Sequence, residues 1–123
     1  MRVLIIDDDE QIRVLLQQMM EWAGFDVSVA ENGRIAMQIM QQEPADLVIT
    51  DLIMPEQEGL ETISRLKKEC EGIKIIAISG GGRIGPEAYL PAAMELGADF
   101  VFSKPFDVQQ VVNAVKQLLN TPS

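Results

Sequence analysis

Four apolar runs in this chain each end in residues able to do chemistry. Val3-Leu4-Ile5-Ile6 is followed by Asp7-Asp8-Asp9-Glu10, and Leu47-Val48-Ile49-Thr50 by Asp51. Ile73–Ile78 is followed by Ser79, and Phe100-Val101-Phe102 by Ser103-Lys104-Pro105. Runs that lie side by side and point the same way bring several carboxylates, a hydroxyl and an ammonium to one edge. Like charges held close cannot all stay ionised without compensation. Lys104 is one compensator. A hard divalent cation, which takes oxygen ligands, is the other. The chain has no His, and its single Cys, Cys70, lies away from these runs. Zinc and softer metals are therefore disfavoured, and Mg²⁺ is the natural choice.

The elements that position these residues follow from periodicity. Between the apolar runs the spacing turns helical. Ile12, Leu15, Leu16, Met19 and Ala23 form a first helical stripe, stopped by Gly24. Phe25–Ala30 reads as a strand broken by Asp26 and Ser28, hence an edge strand. Asn32 caps a helix carrying Ala36, Ile39 and Met40, which ends by Pro44. Leu60, Ile63 and Leu66 mark a third helix, closed by Gly72. Ala93, Met94 and Leu96 mark a short fourth helix stopped by Gly97, with Pro91 requiring a late start or a kink. Val108, Val111, Val112, Val115 and Leu119 give the strongest stripe, with Asp107 as its N-cap. Strands alternating with helices imply a parallel sheet covered on both faces. The expected architecture is (βα)5, an open three-layer α/β/α sandwich. In such sheets ligands bind beyond the carboxyl ends of the strands.

Composition narrows the classes. The chain has 123 residues, enough for one domain, and 47% of them are apolar. No apolar run approaches the roughly 20 residues that span a bilayer. The start, MRVLIIDDDE, lacks the features of a signal peptide. A single Cys fits a reducing compartment, so a cytoplasmic location is expected. A formal net charge of −9 repels nucleic acid and anionic membrane, and admits divalent cations and basic partners.

IIDDDEQIR, ITDLIMPEQEG, IAISGGG and FVFSKPF, in this order, resemble the receiver domain of two-component response regulators, the CheY-like family. The resemblance covers nearly the whole chain and implies a flavodoxin-like sheet of order 2-1-3-4-5. It implies that Asp51 is the phosphoryl acceptor, its carboxylate attacking a phosphohistidine phosphorus to form an acyl phosphate. Asp7 and Asp8 correspond to the acidic pair that holds Mg²⁺, sharing it with Asp51 and the backbone carbonyl of Ile53. Ser79 corresponds to the hydroxyl that reaches the phosphoryl group. Lys104 corresponds to the cation that pairs with Asp51 before transfer and with phosphoryl oxygen after it. Lys104–Pro105 is expected to be cis, and Gly59 to lie in the turn before the third helix. Plainer uses exist for the same residues. Asp51 can cap a turn, Ser79 can begin one, and Asp7 or Asp9 can cap the first helix, Asp9 being the better choice. Met19, Met20, Met37, Met40 and Met94 read as core or core-edge, and Cys70 as inert.

The chain departs from the family pattern in three places. The segment between Ser79 and Lys104 is long, its surplus lying in GGGRIGPEAYLP, and is expected to be a loop that orders when Ser79 engages a phosphoryl group. Val101 stands where the family usually carries an aromatic residue or His, while Phe100 and Phe102 should point to the opposite face. Ile53 and Gly81, two residues beyond Asp51 and Ser79, offer no side-chain hydrogen bond to an attacking water, so self-dephosphorylation is expected to be slow.

The sequence therefore reads as a single receiver domain over residues 1–123 without an output domain. It is not an enzyme in the ordinary sense, since it acts only on its own Asp51. A histidine kinase or histidine phosphotransfer protein is the implied donor. An unidentified protein is the implied downstream partner, at the face of the fourth helix, fifth strand and fifth helix. Three rivals are weaker. A haloacid-dehalogenase-like phosphohydrolase fits Asp7-x-Asp9, but Gln11 breaks its D-x-D-x-[TV] loop. A flavodoxin-like electron carrier needs a hydroxyl-rich loop where this chain has acids. A phosphorylation-independent pseudo-receiver does not need the full set Asp7, Asp8, Asp51, Ser79 and Lys104.

Overall fold

Strands and helices alternate through the chain as its periodicity requires: β1 (Arg2–Ile6), α1 (Glu10–Trp22), β2 (Asp26–Ala30), α2 (Gly33–Gln42), β3 (Leu47–Asp51), α3 (Glu58–Glu69), β4 (Lys74–Ser79), α4 (Leu90–Leu96), β5 (Phe100–Ser103) and α5 (Val108–Leu118). The structure, a computed structural model, describes residues 1–52, 58–79 and 90–119. All strand pairs are parallel and the order is β2-β1-β3-β4-β5. β2, with its polar Asp26 and Ser28, is an edge strand as expected.

Alternation along each strand divides the core in two. Val3 and Ile5 of β1, with Leu47 and Ile49 of β3 and Ile76 and Ile78 of β4, pack with Leu16 and Met20 of α1 and Val111, Val112 and Val115 of α5. Leu4, Ile6, Val48, Ile75 and Ala77 face the other way, onto Ala36, Met37 and Met40 of α2, Ile63 and Leu66 of α3, and Ala93 of α4. The result is three layers, with both faces of the central strands buried. On β5 the same alternation sends Val101 to the second cluster, while Phe100 and Phe102 border the first. Their rings stack with centroids 6.4 Å apart.

The caps are those the sequence specifies. Asp9, Asn32 and Asp107 accept from the backbone N–H of Gln11 (2.9 Å), Ile35 (2.8 Å) and Gln109 (2.9 Å) respectively. α4 places Pro91 in its first turn, where a missing N–H costs no hydrogen bond. Gly97 follows α4 at φ +116°, a conformation that disfavours any side chain, and the aliphatic stem of Lys67 lies over it.

Some expected core positions are not core. Leu15, Met94 and Leu96 are exposed, while Met20, read as core or core-edge, is fully buried. α1 presents Leu16 and Met20, one turn apart, so Leu15 is turned toward solvent. α4 has only seven residues, and among its described side chains the small Ala93 is the buried one, leaving Met94 and Leu96 at its margin. Gly59 lies within α3 rather than in a turn before it.

Candidate functional site

Parallel register brings the chemically active residues together. Thr50 of β3 pairs with Ile6 of β1 and Ala77 of β4, and Ser79 pairs with Ser103 of β5. The ladder runs one residue further at both margins: the Asp7 N–H donates to the Ala30 carbonyl at 3.1 Å, and the Lys104 N–H to the Ser79 carbonyl at 2.8 Å. Asp7, Asp51, Ser79 and Lys104 are thus fixed by the sheet backbone at its carboxyl edge. The Lys104–Pro105 bond is cis, as expected.

Two of these carboxylates are almost wholly enclosed: Asp7 is 2% exposed and Asp51 4%. The Lys104 ammonium lies 3.5 Å from Asp7 Oδ2 and 3.5 Å from Asp51 Oδ2, so one cation bridges both. Asp7 Oδ1 accepts the Asp9 N–H at 2.8 Å, which leads the chain from β1 into the cap of α1. Asp9 therefore caps, and Asp7 points into the cluster. Burial pushes the Asp7 carboxyl above the usual carboxylate range; the Asp9 amide and the Lys104 ammonium pull it down, and the neighbouring Asp8 pushes it up. The compensation supplied by the protein alone is incomplete.

Asp8 is exposed, and it completes a trio with Asp7 and Asp51 whose ligand oxygens all lie within 4.8 Å of one another. Oxygen-only donors, a raised Asp7 and an open approach at Asp8 fit a hard divalent cation. Ser79 is fully buried, and its Oγ has no hydrogen-bond partner among the described residues. A buried hydroxyl without a partner costs about 1–3 kcal/mol, and functional sites are where such costs are tolerated. Ile53, Gly81 and the glycine-rich segment lie outside the described residues, and with them the expected carbonyl ligand and the loop behaviour.

One residue of the site was not anticipated. Arg13, in the first turns of α1, donates from Nη1 to the Asp7 carbonyl at 2.8 Å. It braces the end of β1 from behind. Its only trace in the sequence is a cation one turn beyond the Asp9 cap, a weak signal on an exposed helix.

Residues 3–116 match the response regulator receiver domain family, and the chain belongs to it. It is 35% identical over 118 residues to sporulation initiation phosphotransferase F of Bacillus subtilis, covering 96% of this chain and 93% of that protein. It is 34% identical over 118 residues to the chemotaxis protein CheY of Halobacterium salinarum, covering 96% of each. Among solved structures, a response regulator receiver domain protein from Clostridium thermocellum superposes with a TM-score of 0.86 at 26% identity, covering 97% of this chain and 94% of that one. A match of the same extent to the response regulator MprA of Mycolicibacterium vanbaalenii spans only 50% of that protein. Receiver domains are signalling modules that take phosphoryl groups from histidine kinases or phosphotransfer proteins, and they generally bind Mg²⁺. No helix among the described residues is long and apolar enough to cross a membrane.

Proposed function

We propose that this receiver accepts a phosphoryl group on Asp51 from a histidine kinase or histidine phosphotransfer protein and signals to a partner protein by a change of conformation. The observation that carries this reading is the placement of Asp51. It is a buried carboxylate at the end of the central strand, 3.5 Å from the Lys104 ammonium, in a trio that can hold a cation, at the same edge as a buried Ser79 hydroxyl that has no hydrogen-bond partner among the described residues. An oxygen of Asp51 attacks phosphorus, the P–N bond to the donor imidazole breaks, and an acyl phosphate forms. Lys104, paired with Asp51 beforehand, follows the charge onto the phosphoryl oxygens. Ser79 gains an acceptor that none of the described residues supplies. Asp7, Asp8 and Asp51 would hold Mg²⁺, which when bound neutralises charge on the transferring oxygens. The backbone carbonyl of Ile53 belongs to the same proposed ligand set.

The added charge of about −1.5 to −2 favours a second conformation that partners sense. Helix α4, strand β5 and helix α5 form the proposed output face, with Val101 in place of an aromatic switch. Action as a stand-alone receiver in the cytoplasm is part of the reading. The stand-alone part is supported by the matches to the Bacillus and Halobacterium proteins, which cover 93% and 96% of those proteins, and the mass of the native protein in a cell extract checks it. Loss of the phosphoryl group is expected to be slow because Ile53 cannot orient water. A lifetime of seconds in Mg²⁺ would overturn that expectation.

The deciding experiment is intact mass after incubation with acetyl phosphate and Mg²⁺, and then with a phosphorylated histidine phosphotransfer protein. One base-labile phosphoryl group is expected on the wild type and none on Asp51→Asn. Failure with both donors, with Mg²⁺ binding retained, would instead identify a phosphorylation-independent module.

A further inference from the structure

The amino end of the sheet, opposite the acidic edge, carries a second concavity. The carboxyl-terminal turns of α2 and α3 part above the starts of β3 and β4, leaving a cavity of about 480 Å³. That size lies within the ~300–1,000 Å³ typical of small-molecule sites. Its apolar floor is Met37, Met40, Ala45 and Ile73, each less than a tenth exposed. Met40 is held in place by the Ala45 N–H, which donates to its Sδ at 3.3 Å. Methionine walls adapt to the shape of what they enclose.

The rim is of one sign. Asp46, Glu69 and Glu71 line the cavity, and no Lys or Arg does. Asp46 accepts the Arg2 backbone N–H at 2.9 Å, and Glu69 faces Arg65 at 3.4 Å in an exposed pair. Glu71 has no ion-pair partner among the described residues. An apolar floor beneath three formal negative charges, on a protein of net charge −9, rejects anions and favours a cation with an apolar body.

We propose that this cavity binds a small organic cation, a primary ammonium or guanidinium on an aryl or alkyl body, with its charge at Glu69 and Glu71 and its body on Met37, Met40 and Ile73. The site is separate from the phosphoryl-accepting edge and stands whether or not Asp51 is phosphorylated. β3 starts at this cavity and ends at Asp51, so the two sites lie at opposite ends of the same strand.

The cavity carries its own reporter. Cys70 lines it and is the only cysteine of the chain. The rate of Cys70 alkylation by N-ethylmaleimide, read by intact mass, follows occupancy without reference to phosphorylation. Phenylbutylamine is the probe, and phenylbutyrate, of similar shape and opposite charge, is its control. The amine is expected to slow alkylation severalfold at saturation and to shift the backbone amide resonances of Ala45, Gly72 and Ile73. The carboxylate is expected to do neither. Replacing both Glu69→Gln and Glu71→Gln, on the surface and remote from Asp51, is expected to weaken the amine about two- to fivefold per carboxylate removed. Equal effects of amine and carboxylate, an amine affinity unchanged in the double variant, or no protection and no shifts would each overturn the proposal.

Discussion

At the scale of single residues, the acidic edge is destabilised in ways that point to what it binds. Asp7 is buried, and its carboxyl is pushed above its ordinary value mainly by that burial. The native state therefore holds a proton on Asp7 more tightly than the unfolded chain does. That contribution to stability is full below the ordinary carboxylate range and is lost as pH rises through the raised native value. Above that raised value the ionised Asp7 works against folding. Asp7→Asn keeps an acceptor for the Asp9 amide, and Lys104 keeps Asp51. It is expected to stabilise the metal-free protein at neutral pH by on the order of 1 kcal/mol, the scale of one imperfectly compensated buried charge. The same variant should lose most of the stabilisation that Mg²⁺ gives the wild type. Thermal melts in chelator and in Mg²⁺ check both signs, and a destabilised metal-free variant would show Asp7 to be fully compensated by Lys104. Ser79 follows similar logic. Ser79→Ala removes a hydroxyl that has no partner among the described residues, so the melt should hold steady or rise by up to about 1 kcal/mol. Phosphorylation by acetyl phosphate should slow at least tenfold. A large loss of stability would mean that Ser79 has a structural partner.

At the scale of elements, what was legible in the sequence was whatever depends on near neighbours along the chain. Asp9, Asn32 and Asp107 each precede a helical stripe, and each caps its helix. Asn32→Ala should therefore cost about 1 kcal/mol in chemical denaturation, within the 0.5–2 kcal/mol range of such caps. The site was legible for a related reason. Parallel strands of similar length put their terminal residues at one edge, so Asp7, Asp51, Ser79 and Lys104 could be grouped before any distance was known. Contacts between elements were not legible. The Lys67 ammonium donates to the Ile73 carbonyl at 2.8 Å and lies 3.5 Å from Asp99 Oδ2, while the Asp99 carboxylate accepts the Ile75 N–H. Nothing in local spacing joins residues 67 and 99. Leu15 and Met94 were misplaced for the same reason, since a helical period gives a stripe without saying which neighbour covers each position. This tie between α3, β4 and the turn into β5 makes Gly97 sensitive. A Cβ there would lie 2.9 Å from Lys67 Cγ at a φ of +116°. Gly97→Ala is expected to cost more than the 1 kcal/mol of a lost cap, because backbone strain adds to displacement of Lys67. A cost below that of Asn32→Ala, in the same denaturant series, would mean that the Lys67 stem moves aside freely.

At the scale of the whole molecule, two kinds of charge act, and salt separates them. The net charge of −9 is distributed over the surface and disfavours the compact state by self-repulsion. The trio of Asp7, Asp8 and Asp51 is local and partly buried. Monovalent salt shortens the Debye length from about 30 Å at 0.01 M to about 8 Å at 0.15 M. It should therefore relieve the distributed repulsion and raise the melting temperature by a few degrees. It should do little for the trio, whose oxygens are closer together than any of these lengths. Mg²⁺ at a matched ionic strength should add a further increment through the trio, and chelator should remove that increment alone. Asp8→Asn isolates the second effect. Asp8 is exposed, so the fold does not depend on it, yet it supplies one of the three oxygens that a cation would take. The variant should keep the response to sodium chloride and lose the extra response to Mg²⁺. An Asp8→Asn protein that responds to Mg²⁺ as the wild type does would show that magnesium acts only as a screening ion. The acidic edge would then be no metal site, and the Asp9 amide and Lys104 would be all that offsets the burial of Asp7.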